Sequence, residues 1–223
     1  MRTLILSLIL IAGYTVTYAQ TDSIRVWNKY CSKADSPLLF IGSYNEIQIY
    51  CQTRKPGDLK IKCLDNTLKT STPEIKGDTL CMMAMPYATE GKKMRLAIMD
   101  KKTQKVLKTV YFSRDNVPAP AAQFGKLSGT EGPRKNLLEQ TAVKVIFPNS
   151  LYCYPYTVKQ YIFKMKHAKT DITRPVLGNH IPIDILTEIK NAPDGTFFEL
   201  TDIKAIAPEC AMHTLPNLKI KIK

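Results

Sequence analysis

The chain closes on GNHIPIDILTEIKNAPDGTFFELTDIKAIAPECAMHTLPNLKIKIK, residues 178–223, and the change of hydrophobic period inside this stretch decides the fold. Ile181, Ile185 and Ile189 recur every four positions, the spacing that stacks side chains on one face of an α-helix. Pro182 stands where a helix start tolerates proline, and Asp184 places a negative charge in the first turn. This spacing predicts a short amphipathic helix over 182–191. Pro193-Asp194-Gly195 then stops it, and 196–206 is rich in aromatic and β-branched residues until Pro208 interrupts. In the last run Leu218, Ile220 and Ile222 alternate with Lys219, Lys221 and Lys223. Period two predicts a strand with one face in a core and three lysines facing water.

Working upstream, strand patterns recur at 141–147 and 156–166, ahead of the helix. In the second of them Val158, Gln160, Ile162, Lys164 and Lys166 alternate with Lys159, Tyr161, Phe163 and Met165, so both faces are mixed and give no orientation. Residues 125–133 are glycine-rich and 134–140 polar. A Pro/Ala-rich junction, Val117-Pro118-Ala119-Pro120-Ala121-Ala122, divides the chain into halves of ordinary domain size. Between 38 and 112 six strand patterns alternate with turn signals such as Pro56-Gly57-Asp58 and Lys76-Gly77-Asp78, the signature of a β-sandwich. Met94, Leu96 and Ile98 against Arg95, Ala97 and Met99 is one clean alternation. The predicted fold is all-β in the main: two tandem immunoglobulin-like or β-sandwich domains over 37–116 and 117–223, the second carrying the one short helix. Residues 20–36, which hold the single tryptophan, Trp27, read as an N-terminal arm or a first strand.

The order of helix, PDGTFFELTDIKAIAP and basic closing strand resembles the C-terminal periplasmic domain of GldM, the shaft protein of the Bacteroidetes gliding motor and type IX secretion system. Val117–Pro120, followed by Phe124-Gly125-Lys126, looks like the junction that opens the last domain of that family. Leu39-Phe40-Ile41-Gly42-Ser43-Tyr44-Asn45-Glu46-Ile47 looks like the opening of the domain before it. The resemblance runs in register over about 37–223 and rests on the order and spacing of short motifs. It implies a periplasmic, outer-membrane-associated protein that docks to cell-envelope proteins, type IX secretion ring or shaft proteins among them. In that family two copies run side by side, which implies a homodimer. The matched positions, among them Phe198 and Ile203, are structural, and no binding residue carries over. The family has a membrane helix that meets the motor and two further periplasmic domains, and this sequence shows an export signal instead.

That signal is Met1-Arg2, the apolar run from Leu4 to Ala12, and Thr17-Tyr18-Ala19 before Gln20, with cleavage expected after Ala19. A membrane-spanning helix needs about 20 predominantly apolar residues, and Gly13, Thr15 and Thr17 dilute this run, so no stable span is expected after cleavage. The net charge is +13, of which cleavage removes only Arg2. Such a charge suits an acidic partner, and an adhesin that binds acidic glycan or lipopolysaccharide is the alternative reading. Spread over outward strand positions, the same lysines also serve simply as a solvated surface. Nucleic acid is not expected, because no recognition motif occurs.

Six cysteines, at 31, 51, 63, 81, 153 and 210, stand in a chain expected to reach an oxidising compartment. The patterns 46–52 and 59–65 flank a turn at 54–58, and Ile47, Ile49 and Cys51 match Ile61 and Cys63 in phase. A hairpin over these residues would bring Cys51 and Cys63 close to cross-strand register as a disulfide; the other reading is buried thiols. Tyr152, Tyr154 and Tyr156 alternate around Cys153 and Pro155, so in an extended chain three rings project to one side. They form either a strip for a partner or packing against the first domain. His167, His180 and His213 lack partners at metal-ligand spacing, and neither a nucleophile elbow nor a phosphate-cradling glycine loop occurs. No catalytic, cofactor or metal residues are expected, and the reading is non-enzymatic.

Overall fold

A computed structural model describes residues 23–33, 36–65, 68–87, 94–127, 129–167, 170–208 and 210–223. The export signal read over 1–19 lies outside the described residues. Among those described, no helix is long and apolar enough to cross a membrane.

The first half builds β1 (Ile24–Asn28), β2 (Leu38–Ile41), β3 (Asn45–Cys51), β4 (Leu59–Cys63), β5 (Leu68–Thr70), β6 (Glu74–Lys76), β7 (Thr79–Pro86), β8 (Met94–Asp100) and β9 (Val106–Asn116). One sheet runs β1-β3-β7-β5, with β6 also on β7, and the facing sheet runs β2-β9-β8-β4. Alternation explains the pairing of the two: Ile47 and Ile49 from one sheet and Met94, Leu96, Ile98 and Phe112 from the other are fully enclosed between them. Burying each such side chain contributes roughly 1.5–3 kcal/mol. Most pairs are antiparallel, but β2 lies parallel to the end of β9, with Leu38 opposite Ser113. The stretch read as an arm contributes β1, whose Ile24 and Val26 are buried in this core and pair with Cys51 and Ile49.

The second half builds β10 (Ala121–Phe124), β11 (Glu131–Gly132), α1 (Arg134–Leu138), β12 (Val143–Ile146), β13 (Thr157–His167), β14 (Thr170–Leu177), α2 (Ile183–Asn191), β15 (Phe197–Ile206), β16 (Met212–Thr214) and β17 (Leu218–Ile222). The large sheet has the order β11-β17-β15-β13-β14, with β16 on β15, and β10 pairs with β12 separately. Helix α2 forms where the four-residue period placed it. Pro182 is its N-cap, and Ile185 and Ile189 enter the core against Phe163, Phe198 and Ile220. Helix α1 falls in the polar segment 134–140, and its one buried residue is Leu137. Arg134 explains its place: its guanidinium donates to the carbonyls of Ile189 (2.8 Å), Lys190 (3.0 Å) and Ala192 (2.5 Å) and pairs with Asp194. These carbonyls at the end of α2 would otherwise lack partners.

The mixed faces of β13 also have a cause. Its pairing with β15 shifts register between Val158 and Gln160 and again before Ile162. Val158 is buried before the irregularity, and Tyr161, Phe163 and Met165 after it. A bulge adds a residue and moves the inward set from even to odd positions. The junction glycine Gly125 has φ +61°, and a Cβ there would sit 1.9 Å from Gln140 Oε1. That oxygen accepts from the Lys126 amide at 2.7 Å, while Nε2 donates to Asn136 O at 2.5 Å.

The expected cross-strand bridge between Cys51 and Cys63 is corrected by the topology. β3 and β4 do not pair: β3 lies between β1 and β7, and β4 pairs with β8 in the facing sheet. A 3₁₀ turn, Pro56–Asp58, carries the chain across the end of the sandwich. Cys51 therefore ends β3 where β4 begins, and Cys63 lies four residues further along β4, about 13 Å at strand rise. Both are free, as are the other four cysteines.

Candidate functional site

Between the two halves lies a third hydrophobic cluster, separate from both cores, and it contains the tyrosine triplet. Cys31, Phe40, Phe147, Tyr152, Tyr154 and Ala207 are buried in it, with Tyr30, Leu38, Val117 and Tyr156 packed alongside. Tyr152 is the hub, at 4% exposure. Its ring meets Phe40 and Phe147 edge-on, each at 4.6 Å between centroids, and stacks on Tyr154 at 5.7 Å. Tyr154 in turn meets Tyr30 edge-on at 4.6 Å, and Tyr156 lies against Phe147 and His213. Such edge-on pairs each contribute about 0.5–1.5 kcal/mol beyond their buried area. The three tyrosines lie together, covered by Tyr30 and Phe40 of the first half and by Phe147.

Backbone pairing fixes the alignment. Cys31 and Tyr152 form an isolated antiparallel bridge, with the Ser32 amide donating to Leu151 O at 2.7 Å and the Cys153 amide to Tyr30 O at 2.9 Å. Tyr152 Oη and Ser43 Oγ share a hydrogen bond of 2.7 Å. Phe40 reaches the cluster because β2 is apolar on both faces: Leu39 points into the sandwich and Phe40 away from it. Asn45 holds this arrangement in place. Its Nδ2 donates to the carbonyls of Phe40, Ser43 and Ala84, and its Oδ1 accepts from the Phe40 amide and from Asn28 Nδ2, both at 2.8 Å. With every polar atom satisfied, a fully buried asparagine ties the β2 turn to β1, β3 and β7.

Beside the cluster, Glu46 is nearly buried and accepts from Gln48 Nε2 at 2.8 Å and Lys29 Nζ at 3.1 Å, with Lys76 Nζ at 3.5 Å. Burial is the largest single influence on its carboxyl and acts upward. The hydrogen bonds from Gln48 and Lys29 and the charges of Lys29 and Lys76 together outweigh it, so the group titrates below the ordinary glutamate range. Tyr30 moves the other way, raised by burial and by the Glu46 charge.

The sequence patterns give Phe40, Phe147, Tyr30 and Ser43 no part in a junction, although Phe40 and Ser43 lie in the 39–47 motif. One signal was available: adjacent Leu39 and Phe40 in a four-residue strand leave no polar face, so both sides require cover. Of the histidines, His213 packs on Tyr156, with Nε2 3.4 Å from Tyr156 Oη, and the His180 carbonyl accepts from Tyr161 Oη at 2.8 Å. The described residues hold no group of three or more His, Cys, Asp or Glu placed to bind a metal ion. The arrangement at the junction joins the two β-rich halves through rings, a backbone bridge and one hydroxyl pair.

No protein-family model matches the chain, and no curated protein matches it. Among solved structures it is similar to the Escherichia coli adhesin FdeC, at 7% identity over 91% of this chain and 65% of that one, with a TM-score of 0.30. It is similar to the Yersinia pseudotuberculosis adhesin InvE at 10% identity, 83% and 56% coverage and a TM-score of 0.27. Domains 5–6 of the S-layer protein SbsC give 11% identity, 88% and 98% coverage and a TM-score of 0.30. The chain spans less than two thirds of either adhesin chain. At these scores the likeness is one of β-domain architecture and carries no argument about function.

Proposed function

We propose that the chain is an exported, non-enzymatic component of the cell envelope whose two β domains act as one stiff unit docking to another envelope protein. The observation that carries this reading is the junction cluster. A flexible linker alone would let two domains move independently, whereas here Tyr152, Tyr154, Phe40 and Phe147 bury one another across the junction. A unit of this kind can hold a partner at one end and transmit position to the other. Ring or shaft proteins of type IX secretion and gliding are the proposed partner class, and the periplasm against the outer membrane the proposed location; the resemblance of the motifs to GldM is the support for both.

The test is co-purification of the tagged chain with the ring proteins and the motor shaft from the same cells, after mild crosslinking. Recovery of one of them supports docking. Recovery of neither, with the tagged chain exported and folded, ends this proposal.

A further inference from the structure

Among the described residues the large sheet of the second half has its apolar core against one face. Helices α1 and α2 and the β10/β12 pair contribute to the core on its inner face through Leu137, Ile185, Ile189, Phe124 and Val143. The outer face is made by alternate residues, and register sets them in two rows. In one, Lys219 of β17 lies opposite Glu199 of β15, and Glu199 opposite Lys164 of β13. In the next, Lys221 lies opposite Phe197, and Lys166 of β13 opposite Asp171 of β14.

Phe197 is the feature that a plain solvated face does not require. It is 45% exposed, with Lys219 Nζ 4.8 Å and Lys221 Nζ 5.8 Å from its ring centroid. The ring forms part of the lining of a shallow recess of about 320 Å³, shared with Lys164, Lys166, Glu199, Lys219 and Asp171, near the lower end of the ~300–1,000 Å³ typical of ligand pockets. Charge there is unbalanced, four lysines on these rows facing two carboxylates. Asp171 is engaged with Lys166 at 3.9 Å, and Glu199 accepts from Asn217 at 3.3 Å. Among the described residues Lys164 and Lys219 form no ion pair.

We infer that this face binds a carboxylated polysaccharide, a polymer of uronic acid residues. The flat C–H side of a pyranose ring stacks on Phe197, and the carboxylates of that sugar and its neighbours reach the ammonium groups two residues apart along β17 and β13, about 7 Å at strand rise. Charge complementarity selects an anionic polymer. A recess with an aromatic ring in its lining favours a ring-shaped unit over a planar lipid headgroup layer, and neutral glycan would leave the lysines unused. This inference is independent of the docking proposal, because it concerns the outer sheet face and not the junction.

The experiment is calorimetric titration of the full chain with an oligogalacturonate, with a neutral dextran of equal length and with phosphatidylglycerol vesicles as comparisons. The expected result is oligogalacturonate binding that weakens as salt approaches physiological strength, where the screening length is ~8 Å, and no dextran binding. Phe197→Ala and the double variant Lys219→Ser/Lys221→Ser each lower affinity about tenfold with melting unchanged. Should Phe197→Ala prove unstable, the lysine pair decides the matter. Absence of binding at low salt, binding unaltered in both variants, or equal binding of dextran overturns the inference. Vesicle binding without oligogalacturonate binding also overturns it, and assigns the face to a membrane surface.

Discussion

Replacing Tyr152 by alanine should uncouple the two domains. The ring makes two edge-on contacts at 4.6 Å with Phe40 and Phe147, and its hydroxyl pairs with Ser43 at 2.7 Å. Aromatic-to-alanine changes at buried sites cost about 3–5 kcal/mol. Of that, the two ring pairs supply roughly 1–3 kcal/mol and the hydroxyl pair ~1 kcal/mol. A loss of about 4 kcal/mol corresponds to a fall of roughly 8–16 °C for a chain of this size. Where that loss lands is the informative part. Phe40 belongs to the first domain and Phe147 to the second, so neither core loses a side chain and the coupling between them does. Differential scanning calorimetry of the native chain should show one joint transition, and the Tyr152→Ala variant two, the earlier well below the native midpoint. Tyr152→Phe, which keeps the rings, should cost only about 1 kcal/mol. A Tyr152→Ala shift no larger than that of Tyr152→Phe, with a single transition retained, would refute the argument that these rings join the domains.

Glu46→Gln should lower stability by about 1 kcal/mol at neutral pH, the exposed ends of Lys29 and Lys76 limiting the effect. Because the folded carboxyl titrates below its ordinary value, its contribution is complete above the unfolded pKa of ~4.3 and is lost as pH falls through the folded one. Urea unfolding at neutral and acid pH should therefore show the gap between native and variant closing in acid, and a constant gap would count against the ion-pair account. Gly125→Ala forces a left-handed residue, ~1–2 kcal/mol, and displaces Gln140 from two hydrogen bonds at ~1 kcal/mol each. The total of about 3–4 kcal/mol is measurable by chemical denaturation, and a neutral result would mean that Gln140 moves freely. Arg134→Lys should destabilise by about 1–3 kcal/mol, because one ammonium cannot serve the carbonyls at the end of α2 and Asp194 together, as the two terminal nitrogens of guanidinium do; equal melting of the two proteins would refute this. Intact mass after alkylation without reductant should show six modifiable thiols once the chain is unfolded. In the native state Cys210 should react first. Cys153 should follow more slowly, since burial of its sulfur and the neighbouring Cys31 push its thiol upward. A mass showing only four adducts would reveal a disulfide.

Much of the fold was legible because its strands sit on half-buried sheets, where alternation and burial are the same fact. β8 buries Met94, Leu96 and Ile98, with Ala97 enclosed as well, β17 buries Ile220 and Ile222 and half-buries Leu218, and α2 buries Ile185 and Ile189. β14 escaped notice because Pro175 interrupts it, and an edge position is where a strand tolerates proline. Helix α1 escaped because it has one buried residue and is placed by Arg134, a contact across more than fifty positions. In β13 the bulge broke the period itself. The junction was half legible: three tyrosines on one side of an extended segment were visible, but their cover comes from a distant strand that is apolar on both faces.

The cysteine pair shows why phase alone cannot choose between neighbours in a sheet and neighbours across a sandwich. Residues that face one core share the same alternation whether their strands pair side by side or lie opposite, so Ile49, Cys51 and Ile61 satisfy a hairpin and a sandwich equally. The connection decides. A tight hairpin would use two to five residues with primed-turn chemistry, whereas 52–58 contains a proline that opens a 3₁₀ turn and spans the end of the sandwich. Once the strands face each other, equal phase no longer means equal height. Cys51 ends β3 and Leu59 begins β4 across the same connection, and Cys63 stands four residues further along β4. The property that made the two sulfurs look paired, inward orientation at matched parity, is then the property that buries Cys51 and half-buries Cys63 in one core, each as a small apolar side chain.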